Sequence, residues 1–163
     1  KKIAVGGSNS RQWLWPDKFK HFNPKSHAKC RWERIEAEKP DLVTIEFVND
    51  AWLKPKRFNE AYNEILKRLK KLNAEVIFIT PHFTNQGIMG LKSLKNTEET
   101  RAYVKMLRKL AQDNNLALAD ASSRWAHLWK EGIPYITLLQ NGINHPNDQG
   151  HLLFVEELLK CFD

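Results

Sequence analysis

The sequence predicts an α/β protein in which short strands alternate with amphipathic helices. Short apolar runs rich in β-branched residues, such as residues 76–79, are bounded by glycine, proline or polar residues. Between them lie stretches with apolar residues three and four apart, the pattern of a helix with one buried face. The chain has 163 residues, a length that suits one domain with a core that needs no disulfide framework. This alternation favours a mostly parallel sheet between helices, a three-layer α/β architecture.

Four segments of the chain have the composition of strands. Each is short and apolar, and each ends at a turn or a breaker, such as Gly6-Gly7 after the first or Pro81 after the third. The second opens after Pro40-Asp41, and its β-branched residues suit a pleated surface. The predicted strands are residues 3–5, 42–48, 75–80 and 116–119.

Four amphipathic stretches are predicted to be helices. In the first, apolar side chains recur at three- and four-residue spacing and form one stripe. In the second, Asn96 and Glu99 have the spacing of a capping box, which marks a helix start. The third contains Trp125 and Trp129. The predicted helices cover residues 58–72, 96–110, 122–130 and 152–162.

The chain is basic, with 26 Lys and Arg against 19 Asp and Glu and a net charge of +7. A basic surface can attract nucleic acid, but these cations follow the polar faces of predicted helices. No zinc finger, helix-turn-helix or RNA-binding aromatic motif accompanies them. We therefore predict no nucleic-acid partner. The apolar runs are only four or five residues long, so we also predict no membrane span.

Neither the cysteines nor the histidines form a recognisable ligand pattern. Cys30 and Cys161 are compatible with one disulfide, although two buried thiols are the favoured interpretation. His21, His27 and His127 lack metal-ligand spacing with any cluster of Cys, Asp or Glu. We predict no metal and no cofactor.

Small and polar residues follow every predicted strand. In an open parallel sheet, ligands bind beyond the carboxyl ends of the strands, so a site is expected at these positions. A late loop adds His145 just before the last predicted helix. A polar segment after one strand is common in loops. Polar segments after all four predicted strands, together with a histidine in a late loop, indicate a functional site. These segments are residues 6–10, 49–50, 81–85, 120–123 and 141–148.

Three of these segments resemble conserved blocks of the SGNH hydrolases, the GDSL-type esterases and acylhydrolases. Residues 7–10 resemble the second block, a glycine followed by hydroxyl and amide side chains, and residues 40–50 resemble the third. Residues 144–151 resemble the last block, which contains the catalytic histidine, and they are the most specific of the three. The resemblance implies a single SGNH-hydrolase-like domain over residues 1–163, with a flavodoxin-like, three-layer α/β/α fold and a mostly parallel sheet.

The resemblance also implies an ester hydrolase that uses a serine nucleophile without a cofactor. His145 would take the serine proton as general base. The Gly7 N–H and the Asn49 side-chain amide would stabilise the oxyanion, because glycine allows close approach and a neutral amide donates without titrating. The implied substrate is a small-molecule or carbohydrate ester, with a sugar O-acetyl ester as the first choice. The alternative is a catalytically inactive SGNH-like domain that binds a glycan or a protein.

The nucleophile departs from the family pattern. The family's first block, Gly-Asp-Ser after a strand, should precede the second block by one strand and one helix, roughly 30 residues. Here residues 7–10 stand at the start of the sequence. In one interpretation the first strand and helix are missing, and a removed segment or a companion chain supplies the serine. In the other, Ser8 is the nucleophile. We favour the first, because residues 7–10 match the second block better.

The acid that orients the histidine also departs from the pattern. The family usually has an aspartate three residues before the histidine, and Gly142 occupies that position here. Asn141, Asn144 or a backbone carbonyl could accept from the imidazole and fix its tautomer. Asp120 is a further candidate, because it follows a predicted strand.

Other polar and aromatic residues near these blocks have structural explanations. Asp50 is expected to stabilise the loop by hydrogen bonding rather than to act in catalysis. His82 either lines the pocket or belongs to a turn, and His151 is expected to be structural. Trp13 and Trp15 could form a sugar-stacking surface, although packing is the favoured interpretation.

Overall fold

The protein consists of two compact units, Lys1–Val76 and Ile77–Asp163. The prediction of one domain over the whole chain stays a prediction. A computed structural model describes residues 3–19, 29–85 and 101–162.

Some sequence predictions concern residues outside these ranges. The capping box of Asn96 and Glu99 lies in the segment that follows residue 85. His21 and His27 lie in the segment between residues 19 and 29. These predictions therefore remain as they stand.

The described part of the first unit contains three helices and the first strand, and the second strand begins at its end. In chain order the elements are α1 (Ser10–Leu14), α2 (Glu33–Glu38), β1 (Leu42–Ile45), α3 (Pro55–Lys71) and β2 (Glu75–Ile79), with 3-10 turns at Pro16–Phe19 and Val48–Trp52. Helix α3 has proline in its first turn and three cations in its last, which suits the negative end of the helix dipole. Its predicted apolar stripe is buried at Phe58, Tyr62 and Leu69.

The strand predicted over residues 42–48 is confirmed in its first half only. Strand β1 ends at Ile45, and the chain then forms a 3-10 turn in which the Asp50 N–H donates to the Phe47 carbonyl at 2.9 Å. The Asp50 side chain is fully buried, and this turn replaces the end of the predicted strand. The turn puts Asn49 and Asp50 directly after β1.

Residues 3–5 do not form a strand, and the prediction that they do is wrong. A strand requires ladder hydrogen bonds to a neighbour. In the part of the chain that the structure describes, the sheet consists of β1, β2 and β3 (Ala117–Ala119) in that order. Instead of pairing with a strand, the Val5 carbonyl accepts a local hydrogen bond from the Ser8 N–H.

Strand β2 continues into the second unit and pairs in parallel with β3. Ile77 is opposite Ala117, and Ile79 is opposite Ala119. Parallel neighbours need a crossover connection, and a helix forms part of it here. After β2, the helices are α4 (Ala102–Asp113), α5 (Ala121–Lys130) and α6 (Asp148–Leu159), with a 3-10 turn at Tyr135–Leu138.

The core of the second unit is aromatic. Phe83 and Trp125 are fully buried, with ring centroids 6.4 Å apart. Phe83 also meets Trp129 and Tyr135 edge-on, at 5.8 and 5.7 Å. Offset and edge-on arrangements are the favoured geometries of aromatic pairs. This cluster anchors the segment after β2 to helix α5.

Helix α6 reaches this core through Gly150. A Cβ at this position would lie 2.6 Å from the Leu138 carbonyl oxygen and 3.0 Å from Pro146 Cβ. The first neighbour is a backbone atom, which cannot rotate aside. Glycine therefore lets the first turn of α6 pack directly against the chain before and after the loop that contains His145.

We expect Gly150→Ala to destabilise the protein by about 1–3 kcal/mol, the usual cost of overpacking, even though alanine is the better helix former. Gly6→Ala is the matched control, because a Cβ at Gly6 meets nothing within 4 Å. It should change the free energy of unfolding by less than about 0.5 kcal/mol. Urea unfolding of the three proteins checks this, and equal values for the two variants would contradict it.

Candidate active site

A tight turn at the start of the chain presents Gly7. The Ser8 N–H donates to the Val5 carbonyl at 3.2 Å, which closes a four-residue turn. Gly7 stands at its third position with φ of +73°, as a type II turn requires, and this region of φ favours glycine. No group among the described residues accepts from the Gly7 N–H, and the residue is exposed. The turn thus presents a backbone donor to solvent.

The Ser8 hydroxyl is directed inward. Its Oγ donates to the Val5 carbonyl at 2.7 Å and accepts from Trp13 Nε1 at 3.1 Å. Ser8 and Trp13 are both buried, so the indole anchors this turn, in agreement with the packing interpretation of Trp13. The hydroxyl proton is committed to a carbonyl that is one turn back in the chain.

Asn49 lies against the same turn. Its Nδ2 donates to the Ser8 carbonyl at 3.0 Å, across 41 residues of sequence. An amide nitrogen has two protons, and the second has no acceptor among the described residues. The structure therefore brings the Asn49 amide next to the residue that follows Gly7.

Asp50 stabilises the loop after β1 by hydrogen bonding, as the sequence predicted. It is fully buried, and its carboxylate accepts from the Ser10 N–H at 3.2 Å and from the Tyr62 hydroxyl at 3.0 Å. Burial raises the pKa of Asp50 to about 6, although hydrogen bonds from Ser10 and Tyr62 lower it. Asp50 thus ties the start of α1 to helix α3.

His145 stands in an exposed loop of the second unit. The backbone N–H groups of Ile143, Asn144 and His145 all donate to Asn141 Oδ1, at 3.0, 3.0 and 3.1 Å. Gly142 has φ of +63°, which bends the chain around this oxygen. Because its oxygen already accepts three N–H groups, Asn141 is not free to orient the His145 imidazole.

Asp120 is also engaged elsewhere. It forms a two-point ion pair with Arg108, with Nε–Oδ2 at 2.7 Å and Nη2–Oδ1 at 3.1 Å. Its Oδ1 accepts from Thr80 Oγ1 at 2.9 Å and from the Ser123 N–H at 3.2 Å, which caps helix α5. Asp120 therefore holds the start of α5, and both of its carboxylate oxygens already accept hydrogen bonds; its role as the orienting acid stays a prediction.

His82 is the residue whose role the sequence left open. It is 5% exposed, and its Nε2 lies 2.8 Å from the Asn144 carbonyl oxygen. Burial lowers the pKa of His82 to about 4, while the bond to Asn144 raises it and the charges of His145 and His151 lower it further. His82 is thus a neutral, buried histidine beneath the His145 loop. No sequence signal could have found this bond, because its partner is a backbone carbonyl 62 residues away.

His151 has a local contact, in agreement with its structural interpretation. Its Nδ1 lies 3.0 Å from the Asn147 carbonyl oxygen, one turn back in the chain. Asn147 Oδ1 caps helix α6 by accepting from the Gly150 N–H at 2.9 Å. The side chain and the backbone carbonyl of Asn147 therefore both contact the first turn of α6.

Within residues 3–19, 29–85 and 101–162, no group of three or more His, Cys, Asp and Glu side chains could hold a metal ion. In the same ranges, no helix is both long and apolar enough to cross a bilayer.

The sequence matches the GDSL-like Lipase/Acylhydrolase family over residues 3–153. The chain belongs to this family. The family predicted from residues 7–10, 40–50 and 144–151 is therefore confirmed. No curated protein sequence matches the chain at a significant level.

Crystal structures of acetylxylan esterases are similar to this GDSL-like chain. Axe2 from Geobacillus stearothermophilus is 17% identical, with a TM-score of 0.62 over 95% of this chain and 81% of that enzyme. The acetyl xylan esterase AlAXEase is 24% identical, with a TM-score of 0.64 over 81% of this chain and 72% of that enzyme. Alanine variants of Axe2 described as catalytic mutants replace a serine, an aspartate and a histidine. These likenesses confirm the predicted fold class, the α/β fold of SGNH hydrolases.

The raised pKa of Asp50 predicts a dependence of stability on pH. The folded protein binds this proton more tightly than the unfolded chain does. Its contribution is therefore greatest below the ordinary pKa of 3.8 and is lost as the pH rises through about 6. Relative to Asp50→Asn, the wild type should lose about 3 kcal/mol of unfolding free energy between pH 3.5 and pH 7.

Urea unfolding of both proteins across this pH range tests the prediction. His82 titrates in the opposite sense, but it is present in both proteins and cancels in the difference. Asp41→Asn, which removes an exposed carboxylate, is the matched control. A stability difference for Asp50→Asn that is flat with pH would contradict the prediction.

Proposed function

We propose that this protein is a serine acylhydrolase that cleaves acyl esters of carbohydrates. In this proposal the Gly7 N–H and the Asn49 amide are the oxyanion donors, and His145 is the general base. Family membership supports the reaction class. The observation that carries the proposal is the bond from Asn49 Nδ2 to the Ser8 carbonyl, because it holds a side-chain amide against the turn that contains Gly7.

The reaction needs two neutral donors for the charge that develops on the ester oxygen. A serine Oγ attacks the carbonyl carbon, its proton passes to His145, and the carbonyl oxygen becomes an oxyanion. Donors that are fixed before the reaction stabilise this charge without reorganising. The positive φ of Gly7 fixes its N–H, and the bond to Ser8 fixes the Asn49 amide while leaving one proton. The imidazolium then protonates the leaving alcohol, and water hydrolyses the acyl-enzyme.

The proposed base works without a carboxylate partner from its own loop. The family's usual acid position is Gly142, and the nearest amide oxygen, that of Asn141, is occupied by backbone N–H groups. Both oxygens of Asp120 are engaged by Arg108. We therefore propose a Ser–His dyad, in which the exposed imidazole of His145 takes the serine proton.

We assign the nucleophile to a serine other than Ser8, in this chain or in a companion segment. The Ser8 proton is donated to the Val5 carbonyl, and its oxygen accepts from Trp13, so the hydroxyl supports the turn that presents Gly7. The carbohydrate ester is proposed as the substrate because the structural neighbours include acetylxylan esterases.

The second candidate function is a catalytically inactive SGNH-like domain that binds a glycan or a protein. The observation that favours it is the same inward-directed Ser8 hydroxyl, together with Gly142 at the position where the family usually has the acid. A chain that binds acetylated xylo-oligosaccharide and releases no acetate from it would support this function over the first.

Replacing the proposed donor and base should abolish esterase activity. For p-nitrophenyl acetate we expect Asn49→Ala to lower kcat about 10²–10³-fold, and His145→Ala about 10²–10⁴-fold. The matched controls are Asn63→Ala on helix α3 and His127→Ala on helix α5, both at exposed positions. Losses of the same size in these controls would contradict the assignment.

Replacing Ser8 should affect stability rather than chemistry. Ser8→Ala removes two buried hydrogen bonds, so we expect unfolding to become easier by about 1–2 kcal/mol while kcat for p-nitrophenyl acetate stays within threefold. Steady-state kinetics and urea unfolding on the same preparation separate the two effects. A loss of activity as large as that of His145→Ala would make Ser8 the nucleophile.

A further inference from the structure

We propose that His82 is a positioning residue for His145: its Nε2–H holds the Asn144 carbonyl and so fixes the backbone that directs the catalytic side chain. The inference rests on the proposed role of His145 as the base. It adds a residue that lies outside the conserved segments from which that role was inferred.

The tautomer of His82 follows from its partner. A carbonyl oxygen can only accept, so the Nε2 that lies 2.8 Å from the Asn144 oxygen must bear the proton. The neutral ring then has an unprotonated Nδ1, which is buried and has no hydrogen-bond partner. Moving the proton to Nδ1 would break the bond to Asn144 and leave the Nε2 lone pair facing the carbonyl oxygen.

The surroundings of the ring favour this tautomer. Trp125 packs beside it, with ring centroids 5.5 Å apart, and its indole Nε1 is a buried donor without a partner. An unsatisfied donor and an unsatisfied acceptor on neighbouring rings are chemically complementary. Phe154 meets the imidazole edge-on at 5.8 Å, which closes it off from water.

The bond to Asn144 is the last of three that hold the loop from the segment after β2. The Asn85 amide Nδ2 donates to the Gly142 carbonyl at 3.3 Å, and the Asn85 N–H donates to the Ile143 carbonyl at 2.7 Å. His82 holds the next carbonyl, that of Asn144. Three successive carbonyls are therefore restrained, and the peptide held by His82 is the one that leads directly into His145.

This restraint matters because the His145 side chain is exposed. An exposed imidazole is not held by packing, so its direction depends on the backbone at its own Cα. A misplacement of about 1 Å in a catalytic group can cost roughly 10²-fold in rate. Burial keeps His82 neutral near neutral pH. Its hydrogen bond to the Asn144 carbonyl is therefore unchanged while His145 takes up and releases a proton in the proposed reaction.

Two variants at position 82 separate the hydrogen bond from the packing. His82→Phe keeps an aromatic ring beside Trp125 and Phe154 but leaves the Asn144 carbonyl without its donor. His82→Gln retains an N–H at a similar reach. We expect kcat for p-nitrophenyl acetate to fall at least about tenfold in His82→Phe with KM within twofold, and His82→Gln to recover most of it. His127→Phe, at an exposed site, is the control.

A double-variant cycle tests whether His82 acts through His145. If it does, His82→Phe should have no further effect on activity in a His145→Ala background. An unchanged kcat in His82→Phe, or a full second loss on top of His145→Ala, would overturn the proposal. Near-ultraviolet circular dichroism of the tryptophans verifies that each variant keeps its packing.

Amide hydrogen exchange tests, without a measurement of activity, whether the hydrogen bond from His82 restrains the backbone before His145. The N–H groups of residues 143–145 are protected by Asn141, and we expect their exchange to accelerate about tenfold or more in His82→Phe but not in His82→Gln. Amides of α6 from Leu153 onward should not change. Equal exchange rates in all proteins would overturn the positioning role of His82. Full activity in His145→Ala would instead overturn the proposed role of His145 as the base, on which the inference rests.

Discussion

The loops at the ends of the strands depend on single side-chain oxygens that accept backbone N–H groups. Asp50 accepts from Ser10, and Asp120 accepts from Ser123. Asn141 accepts from three successive residues, 143–145. Irregular backbone has no ladder to satisfy its polar groups, and a buried N–H without a partner costs as much as a lost hydrogen bond. Each of these segments is therefore held by a side-chain oxygen, and the chemistry available there is what remains after that oxygen is occupied.

This constraint limits which acceptors remain to orient the His145 imidazole. An oxygen that accepts several backbone N–H groups has little capacity left for an imidazole, and this applies to Asn141. Asp120 is occupied by Arg108 and by the start of α5. The only fully buried carboxylate in the described core, Asp50, is held by Ser10 and Tyr62, and burial raises its pKa. The polar residues that follow the strands thus mostly form hydrogen bonds that hold the fold. The proposed chemistry depends on the few donors that these bonds leave unused.

The sequence predicted the local features of this protein well and its long-range pairings poorly. Helical periodicity identified α3 and α5, because it depends on residues three and four apart. The turn at Gly6-Gly7 was readable for the same reason, whereas the partners of Asp50, Ser10 and Tyr62, lie 40 and 12 residues away. Residues 3–5 have strand composition without a strand, since a strand also needs a partner that composition does not specify. His82 could not be assigned, because its role depends on a carbonyl 62 residues away.

Two histidines of one unit illustrate how burial alone separates roles. His82 is 5% exposed, has a pKa of about 4 and donates to a backbone carbonyl, so its proton stays in one place. His145 is exposed and its described hydrogen bonds are made by its backbone, which leaves the imidazole free to exchange a proton. The base proposed here must exchange its proton and keep its position, so other groups must hold it in place. In this loop the backbone supplies it, through Asn141 from within and through His82 from beneath.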